Sequence, residues 1–252
     1  MGNLREAFTW ELSEHMRLFV LTISIPTLVL IFASQLFEAR SWFRASGFGQ
    51  ETIRILTGSA IISTLGSSEM WVILVSIISV LSILVFRQER DMGYALSLYT
   101  LPLSKREFFF VKTATVYLLS LLVTYIPIFL VILITQADNW TALPIILGSG
   151  NFASAMILVL YFVLYSVAVS IVVSLAFRNA FLDFLVSFFL LAVPNFIGLS
   201  VPPFRFVNRM TMLALIGPST LDIVRMEFFA GVVVPGILLL AGIVMMDRRD
   251  VL

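Results

Sequence analysis

Long apolar runs separated by short charged segments make up most of the chain. A helix that crosses a bilayer needs about 20 residues, somewhat fewer when flanking side chains reach out to the water. Six runs satisfy this length and predict an all-α, polytopic membrane protein with a single transmembrane domain over residues 1–252. The predicted spans are 18–37, 70–86, 108–135, 151–177, 181–201 and 228–246.

Composition supports a membrane protein and excludes several other classes. Hydrophobic residues make up 60% of the 252 residues and charged residues 12%, with a mean hydropathy of +1.05, and a water-soluble globule could not bury so much apolar surface. The net charge of +1 gives no electrostatic basis for a nucleic-acid partner. The absence of cysteine excludes disulfides, thiolate catalysis and cysteine-based metal sites.

The distribution of Lys and Arg predicts the orientation. If the chain crosses six times, both termini share one side, and cytoplasmic segments carry the excess of positive charge. That side holds ten of the 16 basic residues: Arg5, Arg17, Arg87, Arg90, Lys105, Arg106, Lys112, Arg178, Arg248 and Arg249. The sequence therefore predicts a multi-pass protein of the plasma membrane with both termini in the cytoplasm.

The segment before the first span predicts a surface helix. Apolar residues recur there at every fourth position: Leu4, Phe8, Leu12 and Met16. Charged residues lie on the other face, as expected for an interfacial elbow helix on the cytoplasmic surface. A cytoplasmic extension of the first span would give the same pattern, so both interpretations remain open.

A charged segment, residues 87–112, contains the loop between the second and third predicted spans. Four apolar residues share one helical face there and predict a short amphipathic helix: Met92, Ala95, Leu96 and Tyr99. Pro102 ends that helix, and Ser104 with Glu107 has the S-x-x-E spacing of a capping box that begins the next one. Positive charges alone would fit any cytoplasmic loop, whereas an ordered helix followed by a defined turn indicates a docking element.

This segment resembles the motif that follows the second span of ABC-2 type transporter permeases. The residues that carry the resemblance are Glu89, Arg90, Gly93, Leu96, Leu101, Pro102, Ser104, Arg106, Glu107 and Lys112. Val111 departs from the family, which commonly has Gly there. The order of elements is also similar over the whole chain: an N-terminal elbow helix, six spans, a long outer segment before the last span and a short charged tail.

The resemblance implies that the short helix is a coupling helix, which docks on an ATPase. The residues expected to couple are Glu89, Arg90, Met92, Gly93, Leu96, Tyr99, Leu101, Pro102, Ser104, Arg106 and Glu107. The resemblance further implies two copies of a separate ABC ATPase subunit, a second permease copy or a related permease, and surrounding membrane lipids. Because the chain has no G-x-x-x-x-G-K-[ST] motif, we expect it to be no enzyme and to bind no cofactor itself, with ATP and Mg on the partner ATPase.

The family also implies export and a substrate path. We expect export of an amphipathic or lipophilic compound, such as a drug, a peptide or a lipid-linked molecule. By analogy the second and fifth spans line the path, and the candidate residues are Trp71, Ser76, Ser79, Phe181, Phe184, Phe188 and Asn195. Lipid-facing or packing roles are the favoured interpretation of the three Phe residues, because aromatic residues at helical spacing usually have those roles. A serine stripe in the fourth span predicts close helix packing: Ser166, Ser170 and Ser174.

Three carboxylates lie near predicted span ends. Asp183 follows Arg178 by five residues, and we expect it to cap or pair at the cytoplasmic end of the fifth span. Glu69 and Glu227 fall at outer boundaries, where a carboxylate can stay hydrated. None of them requires a proton relay, although charges inside a membrane usually mark ion or proton pathways.

Two long segments are predicted to lie outside. Residues 202–227 contain an apolar run too short to cross, which predicts a re-entrant or interfacial hairpin before the last span. In the family such elements act as an external gate. Residues 39–68 predict a short helix on the outer surface, and the sequence gives no function for it.

Other function classes compete with the permease hypothesis. A metal-dependent intramembrane enzyme is excluded, because the only histidine is His15 and no H-E-x-x-H motif exists. No serine in the spans has a convincing general base beside it. A non-transporting membrane anchor or sensor for a soluble partner and a secondary transporter both remain open.

Overall fold

The computed structural model describes residues 2–15, 19–45, 50–91, 104–135, 143–177, 179–215 and 220–248. The helices in chain order are α1 (Gly2–His15), α2 (Phe19–Ala45), α3 (Gln50–Leu65), α4 (Ser68–Asp91), α5 (Lys105–Thr135), α6 (Leu143–Leu147), α7 (Gly150–Ala176), α8 (Ala180–Phe196), α9 (Phe204–Leu215), α10 (Thr220–Phe228) and α11 (Val234–Arg248). A π-helical turn, Phe229–Val233, joins α10 to α11, so that residues 220–248 form one continuous helical run. The predicted all-α class is confirmed over these ranges.

Five helical segments in the described part of the chain are long and apolar enough to cross a bilayer. They lie in α2 (Val20–Glu38), α4 (Glu69–Arg87), α5 (Lys105–Thr135), α7 (Gly150–Ala176) and the run from α10 to α11 (Leu221–Arg248). The prediction of a multi-pass membrane protein is therefore confirmed.

The fifth predicted span, 181–201, is shorter than expected. The helix α8 has 17 residues, about 25 Å at 1.5 Å per residue, whereas the hydrocarbon core is about 30 Å thick. It ends early because Gly198 has a φ of 76°, and the Leu199 amide donates to the carbonyl oxygen of Pro194 at 2.8 Å. This is a glycine cap of the kind that ends many helices. The described structure thus gives five membrane-length segments and one shorter apolar helix where six spans were predicted.

Several helices continue beyond the predicted spans at their charged ends. The helix α4 extends to Asp91 where the apolar run ends at residue 86, and α5 begins at Lys105 where the run begins at 108. Hydropathy marks only the part that fits in lipid, whereas Arg, Gln and Glu readily continue a helix into water. The predicted loop 87–107 is therefore helical at both ends, and residues 92–103 between them lie outside the described residues.

Both segments predicted to lie outside contain helices that pack against the rest of the protein. The helix predicted within residues 39–68 is present as α3, and its second half is buried against α2 and α9, while its place on the outer side of the membrane stays a prediction. The helix α9 also faces the core, since one side of it is almost fully buried: Phe204, Phe206, Val207, Met210 and Leu213.

The helix α7 lies at the centre of the fold. It packs against α3, α4, α5, α8, α9, α10, the π-helical turn and α11. Its serine stripe is buried, and the Ser170 hydroxyl lies 3.4 Å from the hydroxyl of Ser79 on α4. Small side chains let two helix backbones approach closely, so the predicted packing role of the stripe is confirmed.

We expect Gly231→Ala to destabilise the fold, because the π-helical turn approaches α7 closely. A Cβ at Gly231 would lie 2.3 Å from Cγ of Tyr161. Overpacking of this kind lowers the free energy of unfolding by about 1–3 kcal/mol. Gly236 is the matched control, because nothing lies within 4 Å of a Cβ there and Ala favours a helix. Thermal unfolding of both purified variants in detergent checks the pair, and equal midpoints would contradict this packing.

Candidate functional site

Charged side chains gather where α4 ends and where α5 and α8 begin. We call this set the charge network: Glu11, His15, Arg87, Arg106, Lys112, Asp183 and Asp247. Its members come from α1, α4, α5, α8 and α11. Ionic contacts, together with the hydrogen bond from Lys112 to the Val85 carbonyl oxygen, thus join five helices at one end of the bundle.

Lys112 joins three of these helices. Its side chain is only 2% exposed, and its ammonium group donates to Oε1 of Glu11 on α1 at 3.3 Å and to the carbonyl oxygen of Val85 on α4. His15 lies one turn after Glu11 and places Nδ1 3.8 Å from the same carboxylate oxygen. Burying a charge is costly unless it is paired and hydrogen-bonded, so the position of Lys112 depends on these partners.

Arg87 and Asp183 join α4 to α8. Both are buried, and Nη1 of Arg87 lies 4.0 Å from Oδ2 of Asp183. Asp183 was expected to cap or pair at this helix end, and the structure shows pairing with α4. The cap is Asn179, whose side chain accepts from the Phe181 amide at 2.9 Å, while Arg178 lies outside the described residues. The contact also makes α4 and α8 antiparallel neighbours, because it joins the end of one to the start of the other.

The first turn of α5 has the predicted capping box. Glu107 Oε2 accepts from the Ser104 amide and from the Ser104 hydroxyl, both at 2.8 Å, and the Ser104 hydroxyl oxygen accepts from the Glu107 amide at 3.3 Å. This reciprocal bonding satisfies amides that a helix start otherwise leaves free. On the same turn Arg106 reaches Oδ2 of Asp247 at 2.8 Å, which ties the start of α5 to the last turns of α11.

The predicted coupling residues divide into three groups. Ser104, Arg106 and Glu107 have the contacts given above, and Glu89 and Arg90 lie in the last turn of α4. The others fall in residues 92–103, outside the described residues: Met92, Gly93, Leu96, Tyr99, Leu101 and Pro102. Within the described ranges, no group of three or more His, Asp or Glu residues could hold a metal ion.

The candidate path residues do not come together on one surface. Trp71 is fully buried against Phe162, with 4.6 Å between ring centroids, and Ser79 is buried beside α7. Phe181 is 66% exposed at the start of α8, opposite the end of the bundle that holds Trp71, because α4 and α8 are antiparallel.

The other path residues have local contacts. Ser76 donates to the carbonyl oxygen of Val72 at 3.1 Å. Phe184 and Phe188 stack on each other with 6.0 Å between centroids, and Asn195 is half-buried near the end of α8. The substrate path therefore stays a prediction.

Sequence reasoning missed the partners of several charges. Glu11 and Asp247 looked like ordinary charges near the chain ends, and only the fold shows that they pair with Lys112 and Arg106. The available signal was Lys112 itself, a cation next to a long apolar run. The expectation of hydration holds for Glu69, which is exposed, and is wrong for Glu227, which is fully buried.

A family model described as "ABC-2 family transporter protein" matches residues 13–194, more than two thirds of the chain. The chain belongs to the ABC-2 transporter family. The match includes Arg87, Lys112 and Asp183 and confirms the resemblance found in the sequence. The ABC-2 family makes the chain the membrane subunit of an ABC transporter, which works with an ABC ATPase subunit. No curated protein and no solved structure matches the chain.

We expect Glu11 and Lys112 to show strong energetic coupling, because losing either partner leaves the other charge buried. Glu11→Gln and Lys112→Met should each lower the free energy of unfolding by about 3–5 kcal/mol. The double variant should lose clearly less than the sum. Unfolding of the four proteins in mixed micelles gives the coupling energy.

The matched control for this cycle is the exposed pair Asp222 and Arg225, whose charged atoms lie 3.6 Å apart. An exposed pair of this kind contributes about 0–1 kcal/mol, so its cycle should give a coupling energy near zero. A coupling for Glu11 and Lys112 as small as that of the control would show that the buried contact does not hold the helices together.

Proposed function

We propose that this ABC-2 permease is part of an exporter and that residues 87–107 form the coupling segment that docks on the ATPase. The observation that carries the proposal is the way in which the charge network holds both ends of this segment. Arg87 contacts α8 at the first end, while Arg106 and Lys112 contact α11, α1 and α4 at the second. A displacement of the docked segment would reach five helices at once.

The contacts of the network suit force transmission because they join parts far apart in sequence. Lys112 and Glu11 are 101 residues apart, and Arg106 and Asp247 are 141 residues apart. Breaking the buried pair of Lys112 and Glu11 costs about 3–5 kcal/mol, so α1 and α5 move together more easily than they separate. The exposed pair of Arg106 and Asp247 contributes only about 0–1 kcal/mol and mainly defines which helix ends meet. In this proposal the apolar residues of 92–103, led by Leu96 and Tyr99, enter a cleft of the ATPase.

We infer that α8 also crosses the membrane, which brings the number of crossings to six. It lies antiparallel to α4, and its exposed surface is apolar: Phe181, Leu182, Phe189, Leu190 and Phe196. Exposed apolar residues continue after the helix through Val201, which lengthens the apolar stretch toward the thickness of the hydrocarbon core. Six crossings would leave both termini on one side, and the excess of Lys and Arg on that side assigns it to the cytoplasm. In this topology α1 is the elbow helix, and α9 and α10 are the external element.

The assembled transporter would contain two permeases and two ATPases, with ATP and Mg on the ATPases. The second permease is a further copy of this chain or a related chain, and the exposed apolar faces of α8 and α11 offer surface for it and for lipid. An amphipathic or lipophilic substrate is the proposed cargo, because all of the candidate path residues are uncharged.

We expect Leu96→Asp to reduce the amount of ATPase that co-purifies with this chain by at least tenfold. A carboxylate forced into an apolar cleft costs several kcal/mol, and about 1.4 kcal/mol already corresponds to a factor of ten. The experiment is affinity purification of the full chain, expressed with its native neighbours, followed by identification of bound proteins. The control Arg225→Gln changes an exposed residue far from the segment and should keep the ATPase.

In the same preparations, Arg106→Gln should retain the ATPase and lower both ATP hydrolysis and substrate export, because it breaks the contact of α5 with Asp247. Recovery of the permease with no Walker-motif ATPase and no hydrolysis would contradict the proposal and favour a membrane anchor or a secondary transporter. Normal hydrolysis and export in both Leu96→Asp and Arg106→Gln would contradict the assignment of the segment.

A further inference from the structure

A second group of charges lies at the opposite end of the bundle. We call Arg205, Arg209 and Glu227 the arginine cluster. The Nε atoms of Arg205 and Arg209 both donate to Oε1 of Glu227, at 2.9 Å and 3.1 Å. Glu227 is fully buried, whereas the arginine side chains remain 39% and 32% exposed. A buried carboxylate thus holds two guanidinium groups at the protein surface.

The position of the cluster along the last span places it at the level of lipid headgroups. Glu227 precedes Arg248 by 21 residues in the continuous helical run 220–248. At about 1.5 Å per residue this separation is about 30 Å, the thickness of the hydrocarbon core. If Asp247 and Arg248 lie in one headgroup layer, the arginine cluster lies in the other. The cluster lies at the headgroup level whichever layer is cytoplasmic.

The cluster has an excess of positive charge and of hydrogen-bond donors. Two guanidinium groups face one carboxylate, and among the described residues no other carboxylate lies within 4.0 Å of either arginine. A guanidinium has five N–H donors, and only Nε of each arginine is used on Glu227. Among the terminal nitrogens, Nη1 of Arg209 contacts the sulfur of Met212 at 3.5 Å, a weak acceptor. The remaining donors suit an oxyanion, and paired guanidiniums bind phosphate well.

The place of the cluster at the start of the apolar last span favours a lipid as the source of that phosphate. Phe228 and Phe229 follow Glu227 directly toward the membrane interior and are 51% and 64% exposed. An acyl chain attached to a phosphate at the headgroup level would run along this apolar surface, whereas a free phosphate would gain nothing from it. We propose that Arg205 and Arg209 bind the phosphate of a membrane phospholipid, and that Glu227 holds the two guanidinium groups in place for it.

The test measures how phosphatidylglycerol, added to the purified full chain in detergent, raises the midpoint of thermal unfolding. The main variant is Arg209→Gln, which keeps Arg205 paired with Glu227. It should need at least five times more phosphatidylglycerol for half of the effect, because one of two charged donors is lost. Combining Arg205→Gln, Arg209→Gln and Glu227→Gln removes the cluster without leaving a buried charge and should abolish the effect. The control Arg225→Gln removes an exposed arginine on α10 and should behave like the unchanged protein.

Two further probes identify the source of the phosphate. Diacylglycerol has the same acyl chains without phosphate and should not protect, and inorganic phosphate at the same concentration should protect far less than the lipid. Equal protection by diacylglycerol would overturn the role of the arginines. Equal protection by inorganic phosphate would overturn the assignment to a lipid. An unchanged response of Arg209→Gln would overturn the site, and the outcome is independent of whether the chain exports anything.

Discussion

The buried ammonium group of Lys112 sets the arrangement of the bundle at one end. An ammonium ion removed from water is stable only next to an opposite charge and hydrogen-bond acceptors. Here Glu11 supplies the charge and the Val85 carbonyl supplies an acceptor, so α1 and α4 must both reach α5. The other contacts of the charge network, Arg87 with Asp183 and Arg106 with Asp247, extend this arrangement to α8 and α11.

The ionic contacts of the charge network lie at the two ends of residues 87–107, which connect the second and third predicted spans. Apolar packing inside a membrane holds helices weakly in register, because lipid tails are as apolar as the side chains themselves. Charge pairs near the water are specific in partner and geometry. The serine contact between α4 and α7 lets those helices lie close, while the charge network defines which helix ends belong together. A permease driven by a soluble ATPase needs both close packing and defined contacts between helix ends, because the ATPase acts at the membrane surface and the substrate crosses the interior.

Local features were predictable from the sequence, and contacts between distant segments were not. The apolar runs gave the membrane class, and the Ser104–Glu107 capping box was correct because both partners lie within one turn. The early end of α8 depends on the φ of Gly198, which hydropathy does not report. Likewise, the partner of Asp183 lies on α4, and nothing in the spacing of the chain indicates that these two helices are neighbours. Burial of Glu227 was missed for the same reason, since both of its partners lie on α9.

The chain has no cysteine, so labels can be attached at introduced cysteines alone. Such labels can measure directly whether the charge network transmits movement of the ATPase to the helices. Spin labels at the exposed positions Glu14 and Arg248 report on one end of the bundle, and a label at exposed Met226 reports on the other. In the assembled transporter, the distance between positions 14 and 248 should stay constant when ATP binds, whereas the distance between positions 14 and 226 should change. A change within the first pair, or no nucleotide-dependent change in the second, would contradict transmission of ATPase movement through the charge network.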